Sequence, residues 1–173
     1  MKEFKKRVLY DGPTIAQRVK EIAKEISLKY PEGNLLLIGI LKGSFIFMAD
    51  LCRNLEVSCK VDFVRISSYG EETVSRGKLD IIMDIGIPVR EKHVILVDDI
   101  VDSGLTLSEY RSRLEQQHPL SLETAALIDK TVRREKHVQL DYCGFCVEDG
   151  FIVGYGLDCN EHYRNLPGLY VLE

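Results

Sequence analysis

The 173-residue sequence lacks the features that mark several large classes of protein. No apolar run approaches the roughly 20 residues needed to cross a bilayer, and no N-terminal stretch reads as a signal peptide, so neither a membrane protein nor a secreted one is expected. Positive charge is not in excess. The chain has 23 Lys and Arg against 27 Asp and Glu, a net charge of −4, whereas bulk nucleic-acid binding usually needs a basic face. The GxxxxGK[ST] loop of nucleoside-triphosphate enzymes is missing, and Gly154-Tyr155-Gly156 lacks the third glycine of a dinucleotide fingerprint, Cys159 standing in its place. The five cysteines are an odd number and, without a signal peptide, make the cytoplasm the expected compartment. Cys143 and Cys146 form a CxxC, but no second Cys or His pair stands at finger-like spacing. On a strand their side chains alternate to opposite faces, so they are expected to pack as small hydrophobes rather than hold zinc.

What is present reads as one ordinary globular domain, with 45% hydrophobic and 29% charged residues and enough length for a well-buried core. From Thr14 onward, Ile15, Val19, Ile22 and Ile26 fall on one helical face, with Lys, Glu and Arg opposite. After the break at Pro31 to Asn34, the run Leu35 to Leu41 is too apolar for a half-exposed strand and should be a central parallel one. It ends in Lys42-Gly43-Ser44, followed by Phe45, Ile46, Met48, Ala49 and Leu51 in a helical pattern. That turn suits a phosphate group at a helix N-terminus, or equally a solvated lysine. Val61 to Ser67 alternates as a strand. A long polar connection over 68–78 follows, and Leu79 to Met83 reads as a returning strand. Thr124 to Ile128 is another buried strand, ending in Asp129-Lys130.

The organising stretch lies between these, at His93 to Leu107 (HVILVDDIVDSGLTL). Val94 to Val97 read as a buried strand that should stop at Asp98 and Asp99; Leu107, Tyr110 and Leu114 then mark a helix. In the loop between them Gly104 permits a tight turn, and Ser103 and Thr106 add hydroxyls beside the amides of a helix N-terminus, which together form an anion cup. A phosphate in the cup would leave a sugar lying toward Asp98 and Asp99, whose oxygens suit vicinal hydroxyls or a hydrated divalent cation. Asp102 would face the reacting end.

The run VILVDDIVDSGLT resembles the phosphoribosyl-pyrophosphate signature of the type I phosphoribosyltransferases: four hydrophobics, two acids, two apolar residues, Asp, Ser or Thr, Gly, any residue, Thr. The likeness extends from Leu35 to Pro167 with elements in the family's order. It implies an α/β fold, a mainly parallel twisted sheet of about five strands flanked by helices, in a single domain over 1–173 with a small C-terminal hood over about 141–173. It also implies that Asp98, Asp99, Asp102, Ser103, Gly104, Leu105 and Thr106 hold ribose 5-phosphate, that Leu41, Lys42, Gly43 and Arg164 hold pyrophosphate, and that the Leu41–Lys42 peptide is cis. The segment FIVGYGLDCNEHYRNLP is similar to the hood of the purine enzymes. By that similarity Phe151 stacks on the purine, Lys130 donates to its exocyclic oxygen, and the main chain of Ile152 and Asp158 lines its other edge.

Ser68 and Tyr69 match the lid of hypoxanthine-guanine members. Magnesium is the implied cofactor, held by Asp98, Asp99 and Asp158, and Asp102 is the implied catalytic base. The implied activity is transfer of a 5-phosphoribosyl group from phosphoribosyl pyrophosphate to hypoxanthine or guanine in purine salvage, releasing pyrophosphate. A homodimer or homotetramer that binds neither nucleic acid nor membrane is expected. A xanthine-preferring enzyme and a nucleotide-sensing regulator on the same fold stand as alternatives.

Overall fold

The computed structural model describes residues 5–67 and 79–173. The chain runs β1 (Lys6–Tyr10), α1 (Gly12–Lys29), β2 (Leu35–Leu41), α2 (Phe45–Asn54), β3 (Cys59–Ser67), β4 (Asp80–Met83), β5 (His93–Val101), α3 (Leu105–Glu115), β6 (Ser121–Lys130), β7 (Tyr142–Val147), β8 (Phe151–Val153) and β9 (Leu169–Leu172). The main sheet has six strands, one more than expected, in the order β4-β3-β2-β5-β6-β7. Every pair in it is parallel except β3 with β4. The expected lid, with Ser68 and Tyr69, lies outside the described residues.

The central strands are apolar throughout because both sheet faces are covered. Leu35 and Leu37 of β2 and Ile95 and Val97 of β5 point into a core shared with α1 and α2. Their alternates Leu36, Ile38, Val94 and Leu96 point into a second core with α3. The predicted helix faces are the buried ones: Ile15, Val19, Ile22 and Ile26 on α1, and Leu107, Tyr110 and Leu114 on α3. Helix α1 starts two residues before the expected Thr14, because Asp11 caps it by accepting the Thr14 amide at 2.9 Å. On α2 the core positions are Phe47, Met48 and Leu51, while Phe45 stays 42% exposed in the first turn.

The hood is a second sheet, three antiparallel strands in the order β1-β9-β8. Its membership differs from the expected 141–173. Tyr142 to Val147 belong to the main sheet as its outer strand, and the N-terminal β1 joins the hood by pairing with β9. Short strands that leave their edges open gain from a third partner, and the chain's other end supplies it.

Candidate active site

Three loops meet at the carboxyl ends of β2, β5 and β6, where open α/β sheets collect ligands. The expectation that β5 stops at Asp98 is corrected. The strand continues to Val101 by pairing with β6, while its pairing with β2 ends at Gly39 opposite Val97. Asp98 and Asp99 therefore stand where β5 parts from one neighbour and stays with the other, and the sheet opens into a cleft on that side. Asp98 Oδ1 accepts the Asp99 amide at 3.0 Å. Burial, together with the charge of Asp99 beside it, raises the Asp98 carboxyl well above its ordinary range, and burial raises that of Asp99 as well.

Beyond Val101, Gly104 turns the chain with φ +79°, and a Cβ there would meet the Lys136 carbonyl at 2.4 Å. The Ser103 carbonyl accepts from the amides of Glu135 and Lys136 at 2.9 and 3.0 Å. Arg134 donates to the carbonyls of Asp102 and Val101, both at 2.9 Å. The loop is thus bolted from beneath by the segment after β6. Asp98, Asp102, Ser103, Gly104 and Thr106 line a cavity of about 300 Å³. Leu105 contributes differently from the other cup residues: its side chain is 42% exposed and its amide donates to Ser103 Oγ at 3.3 Å. Asp102 Oδ1 is buried and has no hydrogen-bond partner. Such an orphaned acceptor costs free energy until a donor arrives.

Asp102 also borders a neighbouring cavity of about 410 Å³, with Lys130, Phe151, Ile152 and Asp158. Lys130 is buried, donating to the Gly150 carbonyl at 3.0 Å and pairing with Asp149 at 3.5 Å. Phe151 is 56% exposed, which is unusual for so large an apolar ring and leaves a flat face on the cavity wall.

A third cavity, of about 430 Å³, lies between Leu41, Lys42 and Gly43 on one side and Asp158 and Arg164 on the other. The Leu41–Lys42 peptide is cis. Gly43 lies directly under Asp99, and a Cβ there would come within 1.8 Å of Asp99 Oδ2. Lys42 Nζ pairs with Glu161 at 2.8 Å, and Arg164 Nη2 pairs with Asp158 at 2.8 Å and Glu161 at 3.2 Å. Asp99 and Asp158 line both this cavity and the one below Phe151, so the two communicate across them.

Of the described residues assigned to the site in the sequence, all but Leu105 line one of the three cavities. The structure adds Arg65 and Ser67 at the end of β3, Arg133, Asp149 and Glu161, which also line the cavities. Arg65 is the Cα partner of Leu41, so its place is set by strand register across the sheet. No local motif marks it.

A sheet whose carboxyl edge gathers a glycine turn at a helix N-terminus, paired acids and a cationic loop is the arrangement expected of an enzyme that handles phosphorylated sugars. The model of the phosphoribosyl transferase domain matches residues 7–160, and the chain belongs to that family. It is 43% identical over 177 residues to the hypoxanthine-guanine phosphoribosyltransferase of Aquifex aeolicus, covering 100% of this chain and 99% of that relative. It is likewise 43% identical over 162 residues to the hypoxanthine phosphoribosyltransferase of Escherichia coli, covering 92% and 91%. A crystal structure of a hypoxanthine-guanine phosphoribosyltransferase from Bacillus anthracis matches with a TM-score of 0.91 at 38% identity, over 99% of this chain and 98% of that one.

Proposed function

We propose that the chain transfers the 5-phosphoribosyl group of phosphoribosyl pyrophosphate to hypoxanthine or guanine, releasing pyrophosphate in purine salvage. The observation that carries this reading is Asp102 Oδ1, a buried acceptor without a donor at the junction of the phosphate cup and the cavity faced by Phe151 and Lys130. A purine bound there offers N7–H as the missing donor. Asp102 accepts that proton as the base attacks the anomeric carbon. The amides and hydroxyls of Ser103 to Thr106 hold the 5-phosphate, Leu105 through its main chain. Phe151 stacks on the purine, Lys130 turns from Gly150 to the exocyclic oxygen, and the main chain at Ile152 and Asp158 meets the opposite edge.

Lys42 and Arg164, with the Leu41 and Gly43 main chain, hold the pyrophosphate. Positive charge developing on the sugar ring is stabilised by Asp98 and Asp99 where it appears. Magnesium fits the donor set, because Asp98, Asp99 and Asp158 offer hard carboxylate oxygens, and a cation beside the first two would offset the burial that raises their pKa. When bound it neutralises charge on the departing pyrophosphate. A lid role for Ser68 and Tyr69 follows from their likeness to the family's lid alone, since both lie outside the described residues.

The five cysteines are all free, which fits a reducing cytoplasm. No described helix is long and apolar enough to cross a membrane. Assembly as a homodimer or homotetramer follows from the resemblance, and light scattering checks it. The central test is pyrophosphate release from phosphoribosyl pyrophosphate with hypoxanthine, guanine and xanthine, with and without magnesium. Magnesium-dependent turnover on the first two is expected. Turnover on xanthine alone would move the assignment to the xanthine enzymes, and none on any purine would end it.

A further inference from the structure

On the far side of β6 from the purine cavity, the expected separation of Cys143 and Cys146 does not occur. Their sulfurs lie 4.0 Å apart, and both lie within 4.8 Å of a carboxylate oxygen of Asp129. Strict alternation governs Cβ directions. But β7 is the outer strand of the sheet, with no neighbour beyond it, and its twist lets the two thiols approach around the open edge. We propose that Asp129, Cys143 and Cys146 form a binding site for a thiophilic divalent cation of the zinc class, with a fourth position left to water.

The distances favour a metal over a disulfide. Tetrahedral zinc with bonds of about 2.3 Å to sulfur holds two thiolates roughly 3.8 Å apart, close to the 4.0 Å found. A disulfide needs Cα atoms within about 7 Å, and residues three apart on an extended strand stand roughly 10 Å apart. Cys143 and Cys146 pair with Ala126 and Asp129 in regular strand register, so the backbone between them stays extended. A bridging ion spans what a covalent bond cannot.

The site is also held from outside. Arg18 of α1 donates to the Cys143 carbonyl at 2.7 Å and to that of Gly144 at 3.2 Å, which fixes the strand between the two thiols. Arg134 pairs with Asp129 through Oδ1. A carboxylate has two oxygens, so this pair can orient a metal-bound Asp129, as outer partners of ligating carboxylates do. Cys146 is exposed and gives the ion a way in, while burial, with Cys146 alongside, pushes the Cys143 thiol up to about 12.

The test is titration of the reduced, chelator-treated full chain with Co²⁺, followed by displacement with Zn²⁺. One equivalent should give a thiolate-to-cobalt charge-transfer band with the strong visible bands of tetrahedral cobalt, and Zn²⁺ should abolish both. Cys143→Ser with Cys146→Ser should remove the bands with circular dichroism unchanged. Asp129→Asn should weaken binding at least tenfold. The other close pair, Cys52 and Cys59 with sulfurs 3.7 Å apart, serves as control, and Cys52→Ser with Cys59→Ser should leave the bands intact. Absence of the bands in the native chain overturns the proposal, as does their survival in the Cys143/Cys146 variant or their loss in the control. Unchanged affinity in Asp129→Asn would remove the carboxylate from the ligand set and overturn the three-ligand site.

Discussion

The loop after β5 and the hood face each other across the cleft, and their charges are in opposite states. In the hood and the elements beside it, Lys42 is paired with Glu161, Arg164 with Asp158 and Glu161, and Lys130 with Asp149. After β5, Asp98 and Asp99 are crowded and raised in pKa, and Asp102 Oδ1 has no partner. A ligand therefore completes the β5 side, whereas on the hood side it must displace existing partners, although Arg164 Nε there is also buried without one. Unmet polar groups at the sheet edge favour binding there, whereas the exposed Lys42–Glu161 pair is weak and exchanges readily.

The sharpest way to break this contrast is at Asp102. Asp102→Asn keeps the shape of the loop and removes the proton acceptor, so kcat should fall about 10²- to 10⁴-fold with little change in KM for phosphoribosyl pyrophosphate. Steady-state kinetics on both substrates reads the split, and an unchanged kcat would take Asp102 out of the chemistry.

Next in size is Gly104→Ala. A side chain at φ +79° pressed against the Lys136 carbonyl should cost on the order of 1–3 kcal/mol. In a chain of this length each kcal/mol lowers Tm by roughly 2–4 °C. The KM for phosphoribosyl pyrophosphate should rise along with it. Thermal scans and kinetics check the two together, and an unshifted Tm would mean that the loop tolerates what the structure forbids.

The acids give a pH-dependent prediction. Asp98 holds its proton to a higher pH in the folded state than in the unfolded chain, so its contribution to stability is present at low pH and is lost as pH rises through the folded value. Asp98→Asn does not titrate. Its Tm relative to the native protein should therefore climb as pH rises above the ordinary carboxylate range in magnesium-free buffer. A difference that stays flat over that rise would show that the pair is not crowded.

The smallest effect is expected in the hood. Glu161→Gln frees Lys42 from an exposed pair, and KM for phosphoribosyl pyrophosphate should fall by less than about fivefold with kcat unchanged. A rise in KM would show that Glu161 helps the ligand rather than competing with it.

The two sides also differ in how far the chain's order reveals them. The β5 loop is one continuous stretch, and its strand, acids, glycine and helix were readable residue by residue. Even there the sheet altered a detail, because the strand's end was set by which neighbour stopped pairing. The hood is assembled from separated pieces. Phe151, Asp158 and Arg164 were found through family likeness, and β1 was not assigned to it because a short mixed segment carries no signal of a partner more than 150 residues away. Arg65 and Glu161 enter the cavity beside Lys42 and Arg164 through register and packing. The cysteine pair failed for a related reason: alternation fixes where Cβ atoms point, not where two Sγ atoms end beside an open strand edge.

The sequence by itself determined the apolar strands, the helix faces and the acid-bearing loop, because each depends on residues within a few positions of one another and on a fixed backbone period. Only the tertiary structure decided which acids lack partners, which cations are already occupied, and that Asp129 stands beside two thiols. Those depend on distances between chain segments far apart in order, and burial turns such distances into shifted acidities and unmet hydrogen bonds.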